Sequence, residues 1–574
     1  MAPAAMTLLC TGLYLLSSFA QVSEAAPWLF SRSVPPSAKH DGRLGAVASE
    51  NGMCSQYGAD MLKLGGNAAD AMVATVFCVG VTSMYHSGIG GGGFMLIRAP
   101  NGTHEFIDFR ETAPAAAFQD MFKNSSDSST RGGLASGVPG EVRGLEYLHK
   151  NYGKLPWSVV MQPAIRTARD GFRVTKDLAR IMATATRNGD FLSDNPTWAV
   201  DFAPQGTLLQ VGDLITRRRY GDTLDKIARY GADAFYTGPM AKAMINALSA
   251  ANGTMTLADL KNYTVARRPT AEIEYRGMKV TSTTAPSSGV VLLSILKLVN
   301  GYKNFFSRGS LPLSTHRLDE AIRFGYGQRT ELGDPLFVTN LTEYQRKMIS
   351  EEVADKNRRN ISDAYTQSIA VYDPKGLESL NTPGTSHIST ADNTGMAVSL
   401  TTTINLYFGS RVIVPETGII MNNEMDDFSI PGRRNAFGYI PSPSNFIRPG
   451  KRPLSSICPT IITDKEGNLY FISGAAGGSQ IITGTLQSIV NVMDRKMNVR
   501  QALAAPRLHD QLVPNEVLME ASFDQETVNF MKSRKHNVTI EKSGSTVESI
   551  MRLKNGTFVA SGEPRLANSG GIAV

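Results

Sequence analysis

Two segments in the last third of the chain restrict the folds that it can adopt. Residues 386–404 (SHISTADNTGMAVSLTTTI) and 459–474 (PTIITDKEGNLYFISG) each place β-forming residues on both sides of a polar turn. This pattern predicts two β-hairpins, which turn at 392–395 and at 465–468. The second hairpin continues through glycines into a helical pattern over 474–493. Strand pairs that lead into helices favour layered sheets covered by helices.

The rest of the chain alternates in the same way. Residues 54–80 predict two helices joined by a turn at 65–67, and residues 94–111 predict a hairpin that turns at 101–102. Residues 123–133 have the composition of a polar loop. A long, mainly helical stretch over 140–265 is followed by strands at 270–283 and a helix at 288–301. We find no internal repeat and no linker rich in proline and serine.

The N-terminus has the pattern of a signal peptide. Residues 6–20 are apolar, the small residues of AQVSEAAP follow, and the first charged side chain is Glu24. About 15 apolar residues are too few to span a bilayer comfortably, so we expect residues 1–26 to be cleaved off and no membrane span to remain. The segment before Glu24 lacks lysine and arginine, and a retained anchor is the alternative.

N-glycosylation sequons support a secreted, extracellular glycoprotein. They stand at Asn101, Asn124, Asn252, Asn262, Asn340, Asn360, Asn537 and Asn555. Cys54 and Cys78 lie equally far from the turn at 65–67, so antiparallel helices would bring them level. In an oxidising compartment we expect a disulfide between them, and two buried free thiols are the alternative.

Composition and motifs exclude several functions. The net charge of +7 lies in short basic clusters without interleaved aromatic residues, so no nucleic-acid partner is expected. Residues 88–93 (GIGGGG) match the spacing of a dinucleotide-binding loop, but a helical run precedes them and a strand follows, the reverse of the required order. Close backbone packing explains these glycines better. Residues 294–297 match S-x-x-K by chance, and the signatures of zinc peptidases and α/β-hydrolases are absent.

A threonine at the start of the first hairpin raises a different possibility. Thr385 follows Gly384 in TPGTSHIST (382–390). A threonine can act as a nucleophile when its own α-amine is free to serve as the base, which requires the Gly384–Thr385 bond to break. Glycine permits the tight backbone that an N→O acyl shift needs. On spacing alone, an ordinary turn is the better interpretation.

The surrounding segments change that interpretation. In order along the chain, the sequence resembles the γ-glutamyltransferase family of N-terminal-nucleophile hydrolases over nearly the whole length that follows the signal peptide. The matching segments are GGNAADAMVAT (65–75), SGIGGGGFM (87–95), RETAPAAA (110–117), GVPGEVRG (137–144), LPWSVVMQPAI (155–165), GTSHIS (384–389), TTTINLYFGS (401–410), TGIIMNNEMDDFS (417–429), PSPSNFIRPGKRPLSSICPTI (441–461) and SGAAGGSQI (473–481).

The resemblance implies a role for each matching residue. Cleavage between Gly384 and Thr385 would make Thr385 the nucleophile, and Thr403 would hydrogen-bond its amine or hydroxyl. Gly477 and Gly478 would form the oxyanion hole. Without the family, Thr403 is an ordinary β-former, and the two glycines make only a tight connection.

A γ-glutamyl donor carries both an α-carboxylate and an α-ammonium group, so the resemblance also implies a site with charges of both signs. Arg110, with hydroxyl groups of Ser455 and Ser456, would bind the carboxylate. The ammonium would go to Asn405, Glu424 and Asp427. Taken alone, the NNEMDD segment is typical of a solvated acidic turn.

The resemblance further implies an α+β fold, a four-layer αββα sandwich. A large subunit (27–384) and a small one (385–574) would remain together as an interlaced heterodimer. The expected reaction is ping-pong transfer of the γ-glutamyl group, from glutathione or a similar donor, to water, an amino acid or a dipeptide. No metal or organic cofactor is implied. Two alternatives stay open: an acylase of the same fold that acts on other amides, and a secreted binding or toxin-like protein without catalysis.

Overall fold

Two antiparallel sheets form the centre of the protein in a computed structural model, which describes residues 41–125, 127–307, 309–377, 384–432, 440–542 and 544–574. In spatial order, the first sheet contains β18 (Gly570–Ala573), β1 (Gly45–Ser49), β9 (Ser386–Asp392), β10 (Ala397–Thr403), β2 (Gly92–Arg98), β3 (His104–Asp108) and β6 (Ala266–Arg268). The second contains β17 (Phe558–Ser561), β16 (Thr546–Arg552), β12 (Leu469–Ala476), β11 (Thr460–Thr463), β8 (Met278–Thr283) and β7 (Thr270–Tyr275).

The two sheets pack face to face. Small and branched side chains from both, including Ala46, Leu96, Ala391, Ile461 and Ile472, form a buried cluster between them. Alternating inward residues on facing sheets build such a core. Two shorter pairings lie outside the sandwich: β4 (Phe172–Arg173) with β5 (Leu214–Ile215), and β13 (Leu508–His509) with β14 (Val517–Glu520) and β15 (Val538–Glu541).

Helices cover both outer faces of the sandwich. Those before the second sheet's first strand are α1 (Gly52–Lys63), α2 (Ala68–Thr82), α3 (Asp127–Thr130), α4 (Glu141–Tyr152), α5 (Trp157–Asp170), α6 (Lys176–Ala185), α7 (Phe191–Asp194), α8 (Pro196–Phe202), α9 (Arg218–Tyr230), α10 (Asp233–Tyr236), α11 (Gly238–Ala250) and α12 (Leu257–Asn262). Those after it are α13 (Gly289–Asn300), α14 (Leu311–Arg329), α15 (Leu341–Met348), α16 (Glu351–Asn360), α17 (Ile369–Tyr372), α18 (Gln480–Met493), α19 (Val499–Ala504) and α20 (Gln525–Ser533).

The layer order is helix, sheet, sheet, helix. Helices α1 and α2 pack on β1 and β9 of the first sheet, and α13, α18 and α19 pack on β7, β8, β12 and β16 of the second. This arrangement confirms the αββα sandwich. Both sheets contain strands from before and after residue 384, so the two parts of the chain share one fold.

Most predicted elements are present. The hairpin β9–β10 pairs Ser386 with Thr402 and lies at the centre of the first sheet. The second hairpin, β11–β12, leads through glycines into α18. The polar loop over 123–133 differs, because its described part contains the short helix α3. Gly92 begins β2 after α2, and a side chain at Gly91 would collide with the Thr403 carbonyl. The glycines of 88–93 therefore serve close backbone packing, as expected.

The disulfide, the glycosylation sites and the signal peptide were all predicted for an extracellular protein, and the structure tests only the first of them. Cys54 and Cys78 form a disulfide across α1 and α2, with their Cα atoms 5.3 Å apart, which confirms that pairing. All eight sequon asparagines are exposed, and their glycosylation stays a prediction. The signal peptide over 1–26 lies outside the described residues. Among the described helices, none has both the length and the apolar character needed to cross a membrane.

Candidate active site

In the uncut chain, the Gly384–Thr385 bond directly precedes β9, the first strand of the central hairpin. Gly384 has a φ of +116°, and a side chain there would collide with the carbonyl oxygen of Asn405. Only glycine combines this backbone conformation with this close approach. The glycine expected on chemical grounds therefore also has a steric reason to precede Thr385.

Thr403 ends β10 opposite this bond. Its hydroxyl donates to the Gly384 carbonyl oxygen over 2.9 Å and accepts from the Asn405 N–H over 2.7 Å. The Thr403 side chain is buried. In the uncut chain it thus contacts the carbonyl that precedes Thr385, whereas the sequence-based expectation placed it on the Thr385 amine or hydroxyl. A hydrogen bond to the amine stays a prediction for the cut form, in which that amine is free.

The hydroxyl of Thr385 faces the glycines between β12 and α18. The Gly477 N–H donates to Thr385 Oγ1 over 2.9 Å. Gly477 and Gly478 have φ values of +118° and +61°, a left-handed conformation that glycine adopts at little cost. This turn directs the Gly477 N–H, at the end of a strand of the second sheet, toward the threonine that precedes β9 of the first sheet.

Arg110, Glu424 and Asp427 form a buried charge cluster beside Thr385. Arg110 follows β3, and the two acids lie in a 3₁₀ turn over Glu424–Asp427. The guanidinium Nη1 pairs with Glu424 and Nη2 with Asp427. The acids converge on one cation, as their spacing predicts, but in the uncut chain that cation is Arg110.

Several polar atoms of this cluster lack a partner among the described residues. They are Arg110 Nε, Glu424 Oε2 and Asp427 Oδ1, all buried. Buried polar atoms are rarely left without hydrogen bonds, so such atoms call for an explanation. Their chemistry fits a ligand that offers both an anionic and a cationic group.

A further buried carboxyl, that of Glu111, lies beside the cluster. Burial, together with the nearby charges of Asp427 and Glu141, raises the pKa of Glu111 to about 8, although the charge of Arg110 opposes this. Burial and the charges of Glu111 and Asp427 likewise raise the pKa of Glu424. The charges of Glu424 and Asp427 raise the pKa of Arg110 against the effect of its burial. These shifts favour the protonated carboxyls, and a second cation bound here would favour their ionised forms instead.

Apart from Gly477, which lines a larger cavity, the predicted catalytic and binding residues meet around one small cavity of about 10 Å³. It is lined by Arg110, Gly384, Thr385, Thr403, Asn405, Glu424, Asp427, Ser455, Ser456, Gly478 and Ile481. Ser455 Oγ accepts from the Ile457 N–H, and Asn405 Nδ2 donates to the Asn423 carbonyl over 3.1 Å. The volume is close to that of one water molecule. In the uncut chain these residues are assembled, but there is no room for a substrate group.

Gly384 and Thr385 also line a second, open cavity of about 960 Å³. Glu50 and His86, which sequence analysis did not single out, form part of its wall. His86 Nε2 lies 2.9 Å from both Glu50 carboxylate oxygens, and Ser386 Oγ donates to Glu50 over 2.7 Å. Burial alone would raise the pKa of Glu50, but the His86 charge and these hydrogen bonds lower it. No short sequence motif links Glu50 to His86, because they lie far apart in the chain. The only feature of the sequence that could have indicated a functional role is the position of His86 just before the GIGGGG segment.

Comparison with known proteins identifies the family. The profile of the gamma-glutamyltranspeptidase family matches residues 54–572. A glutathione hydrolase proenzyme of Arthroderma benhamiae is 82% identical over 100% of both chains. The crystal structure of a cephalosporin acylase from Bacillus halodurans has a TM-score of 0.81 at 26% identity, covering 95% of this chain and 98% of that one. A Helicobacter pylori gamma-glutamyltranspeptidase gives 0.52 at 31% identity, covering 55% and 92%. This chain therefore belongs to the γ-glutamyltranspeptidase family.

Proposed function

We propose that the protein is a secreted γ-glutamyltransferase and glutathione hydrolase that activates itself by cutting the Gly384–Thr385 bond. The observation that carries this proposal is the cavity shared by Thr385, Thr403 and the charge cluster of Arg110, Glu424 and Asp427. A nucleophile beside buried charges of both signs suits a donor whose acyl group is itself zwitterionic.

Self-cleavage would use the contacts of the uncut chain. Thr385 Oγ attacks the Gly384 carbonyl carbon, while Thr403 donates a hydrogen bond to the carbonyl oxygen as negative charge develops on it. The C–N bond breaks, the Thr385 nitrogen takes a proton, and an ester links Gly384 to Oγ. Water then hydrolyses the ester, which releases a Gly384 carboxylate and a free Thr385 amine. The products are the large subunit 27–384 and the small subunit 385–574.

Donor binding would exchange partners within the charge cluster. The donor α-carboxylate takes a place on Arg110, with Ser455 and Ser456 as hydroxyl donors, and the α-ammonium goes to Glu424, Asp427 and Asn405. The bound group is neutral overall, so the charge of the buried cluster does not change. Because the cavity of the uncut chain is water-sized, the ion pairs of Arg110 must open before the donor enters.

Transfer then follows a two-step route. Thr385 Oγ attacks the γ-carbonyl carbon, its own amine accepts the hydroxyl proton, and Gly477 and Gly478 N–H groups stabilise the oxyanion. The amine passes the proton to the leaving nitrogen. Water, an amino acid or a dipeptide then attacks the acyl-enzyme from the larger cavity. Arg180 and Lys542 line that cavity, and their charge suits the carboxylate of such an acceptor.

A series of three anilides tests this function against a same-fold acylase. γ-Glutamyl anilide carries both α-groups, glutaryl anilide lacks the ammonium, and butyryl anilide lacks both. We expect kcat/KM for the γ-glutamyl compound to exceed that for butyryl by about 10²–10⁴, since two charged groups contribute roughly 1.5–3 kcal/mol each. Equal turnover of the three compounds would identify an acylase for uncharged acyl groups, and no turnover of any would favour a non-catalytic protein.

Thr403 provides a test of the cleavage step. Thr403→Val keeps the shape of the side chain but removes the donor to the Gly384 carbonyl, and loss of one oxyanion donor costs roughly 10²–10³ in rate. We expect self-cleavage to slow by that factor in a time course of denaturing electrophoresis. Thr403→Ser retains the hydroxyl and is the matched control. Wild-type cleavage kinetics in Thr403→Val would contradict the role given to this hydroxyl.

A further inference from the structure

A second buried polar cluster lies away from the proposed active site. His316, Asp319 and Glu320 stand on α14, and His536 follows α20. All four side chains are buried, with exposed fractions of 6% or less. We call these four residues the His316 cluster. None of them lines either cavity that contains Thr385.

The two imidazole rings of the cluster face each other. His316 Nδ1 lies 2.7 Å from His536 Nε2. The outer nitrogens have different neighbours: His316 Nε2 lies 2.7 Å from the Ser362 carbonyl oxygen, and His536 Nδ1 lies 3.0 Å from Asp319 Oδ2.

These outer contacts influence which of the two facing nitrogens, His316 Nδ1 and His536 Nε2, carry a hydrogen. The Ser362 carbonyl can only accept, so His316 Nε2 carries a hydrogen, and Nδ1 of the neutral ring presents a lone pair to His536 Nε2. In the tautomer of His536 that carries its hydrogen on Nδ1, facing Asp319, Nε2 presents a second lone pair toward the same place. This pair of tautomers is the one that could bind a metal ion between the rings.

Glu320 supplies a third group at this place. Its Oε2 accepts from the Tyr372 hydroxyl over 2.6 Å, whereas its Oε1 is buried and has no hydrogen-bond partner among the described residues. One atom from each of His316, Glu320 and His536 lies within 4.8 Å of the other two. Two imidazoles and one carboxylate form a donor set typical of zinc.

We propose that His316, Glu320 and His536 bind a divalent metal ion of the zinc class. Zn–N bonds of about 2.0–2.1 Å in a tetrahedral site separate the two nitrogens by about 3.3 Å, so the rings would have to part by roughly 0.6 Å. The Ser362 carbonyl and Asp319 are already placed to hold the rings in the tautomers that direct lone pairs at the metal. Two positive charges would also offset the carboxyl of Glu320 and those of Asp319 and the neighbouring Asp510, which both interact with the guanidinium of Arg323.

The site would connect the two parts of the chain. His316 and Glu320 precede Thr385 in sequence and His536 follows it, so a metal bound here would hold together the products of cleavage at residue 384. This consequence depends on the proposed cleavage, whereas metal binding itself does not. The metal would act as a clamp and take no part in γ-glutamyl transfer.

Metal analysis of the purified full-length protein tests the site. The protein is stripped with a chelator, loaded with Zn²⁺, passed through a desalting column and analysed by mass spectrometry for zinc per chain. We expect about one zinc in the wild type and at least tenfold weaker binding in His316→Gln and His536→Gln. His509→Gln is the matched control, because His509 is also buried but contacts Thr483 and Gln511, and it is expected to keep its zinc.

A second measurement uses only the wild type, so its result does not depend on whether the variants fold. X-ray absorption of the zinc-loaded protein is expected to show two imidazole ligands and one carboxylate oxygen. A wild type that retains no zinc after desalting would overturn the proposal, as would a zinc ion with only oxygen ligands. Equal zinc retention by His536→Gln and the wild type would also overturn it.

Discussion

Thr385→Ala is expected to remain a single uncut chain without measurable γ-glutamyl transfer. The substitution removes the Oγ that would attack the Gly384 carbonyl, so neither the ester nor the free α-amine can form. It also removes the nucleophile for the donor amide, a loss that costs about 10⁶ in kcat in a serine protease. Denaturing electrophoresis and hydrolysis of γ-glutamyl anilide measure the two effects separately.

Thr385→Ser is the control for this experiment. Serine offers a hydroxyl at the same position and, once cut, an α-amine of the same kind, so we expect two subunits and residual activity. N-terminal sequencing of the smaller wild-type band should begin TSHIST. An active wild-type protein that stays one uncut chain would contradict the mechanism, as would cleavage of Thr385→Ala at the same bond.

Layered sheets covered by helices could be predicted because their signals are local, whereas the four-layer αββα order was implied by the family resemblance. The β9–β10 and β11–β12 hairpins have polar turns, and helical patterns precede and follow the strands. The disulfide between Cys54 and Cys78 followed from the length of the helices on either side of one turn. The short helix α3 was missed because four residues carry too little periodicity to distinguish a helix from a polar loop.

The residues that gather around the small cavity could be named from the family resemblance, but their contacts in the uncut chain could not. Arg110 and the two acids were assigned to opposite ends of a donor, and in the uncut chain they pair with one another instead. Thr403 was assigned to Thr385 and instead contacts the Gly384 carbonyl. Both differences have one physical cause: in the precursor, unpaired buried charges and hydroxyls take whichever partners the uncut chain offers.

Glu50 with His86, and the His316 cluster, show what sequence patterns omit. In each group a histidine meets a residue that is distant in sequence, so no short motif marks the whole group. His316 is one of several buried polar residues on helix α14, and His536 stands in a connection after α20. Only tertiary packing brings these side chains together.

Arg110→Lys is expected to lower kcat/KM for γ-glutamyl anilide by about 10²–10⁴, mainly through KM. Lysine keeps the charge but loses the planar fork that reaches Glu424 and Asp427 at once and would bind the donor carboxylate. Breaking a buried charge pair costs roughly 3–5 kcal/mol, which corresponds to that range. The assay uses protein shown by electrophoresis to be fully cut, so that slow maturation does not contribute.

Two comparisons separate this role from a general loss of structure. Butyryl anilide has neither α-group, so its slow turnover should be the same in Arg110→Lys and the wild type. Arg217→Lys is the matched control, because Arg217 is also buried but donates to the Gly80 and Gly418 carbonyls, and it should lower stability without changing the preference for γ-glutamyl over butyryl. If Arg110→Lys reduced both substrates equally, Arg110 would be a structural residue, and the preference for a zwitterionic donor would have to come from another part of the site.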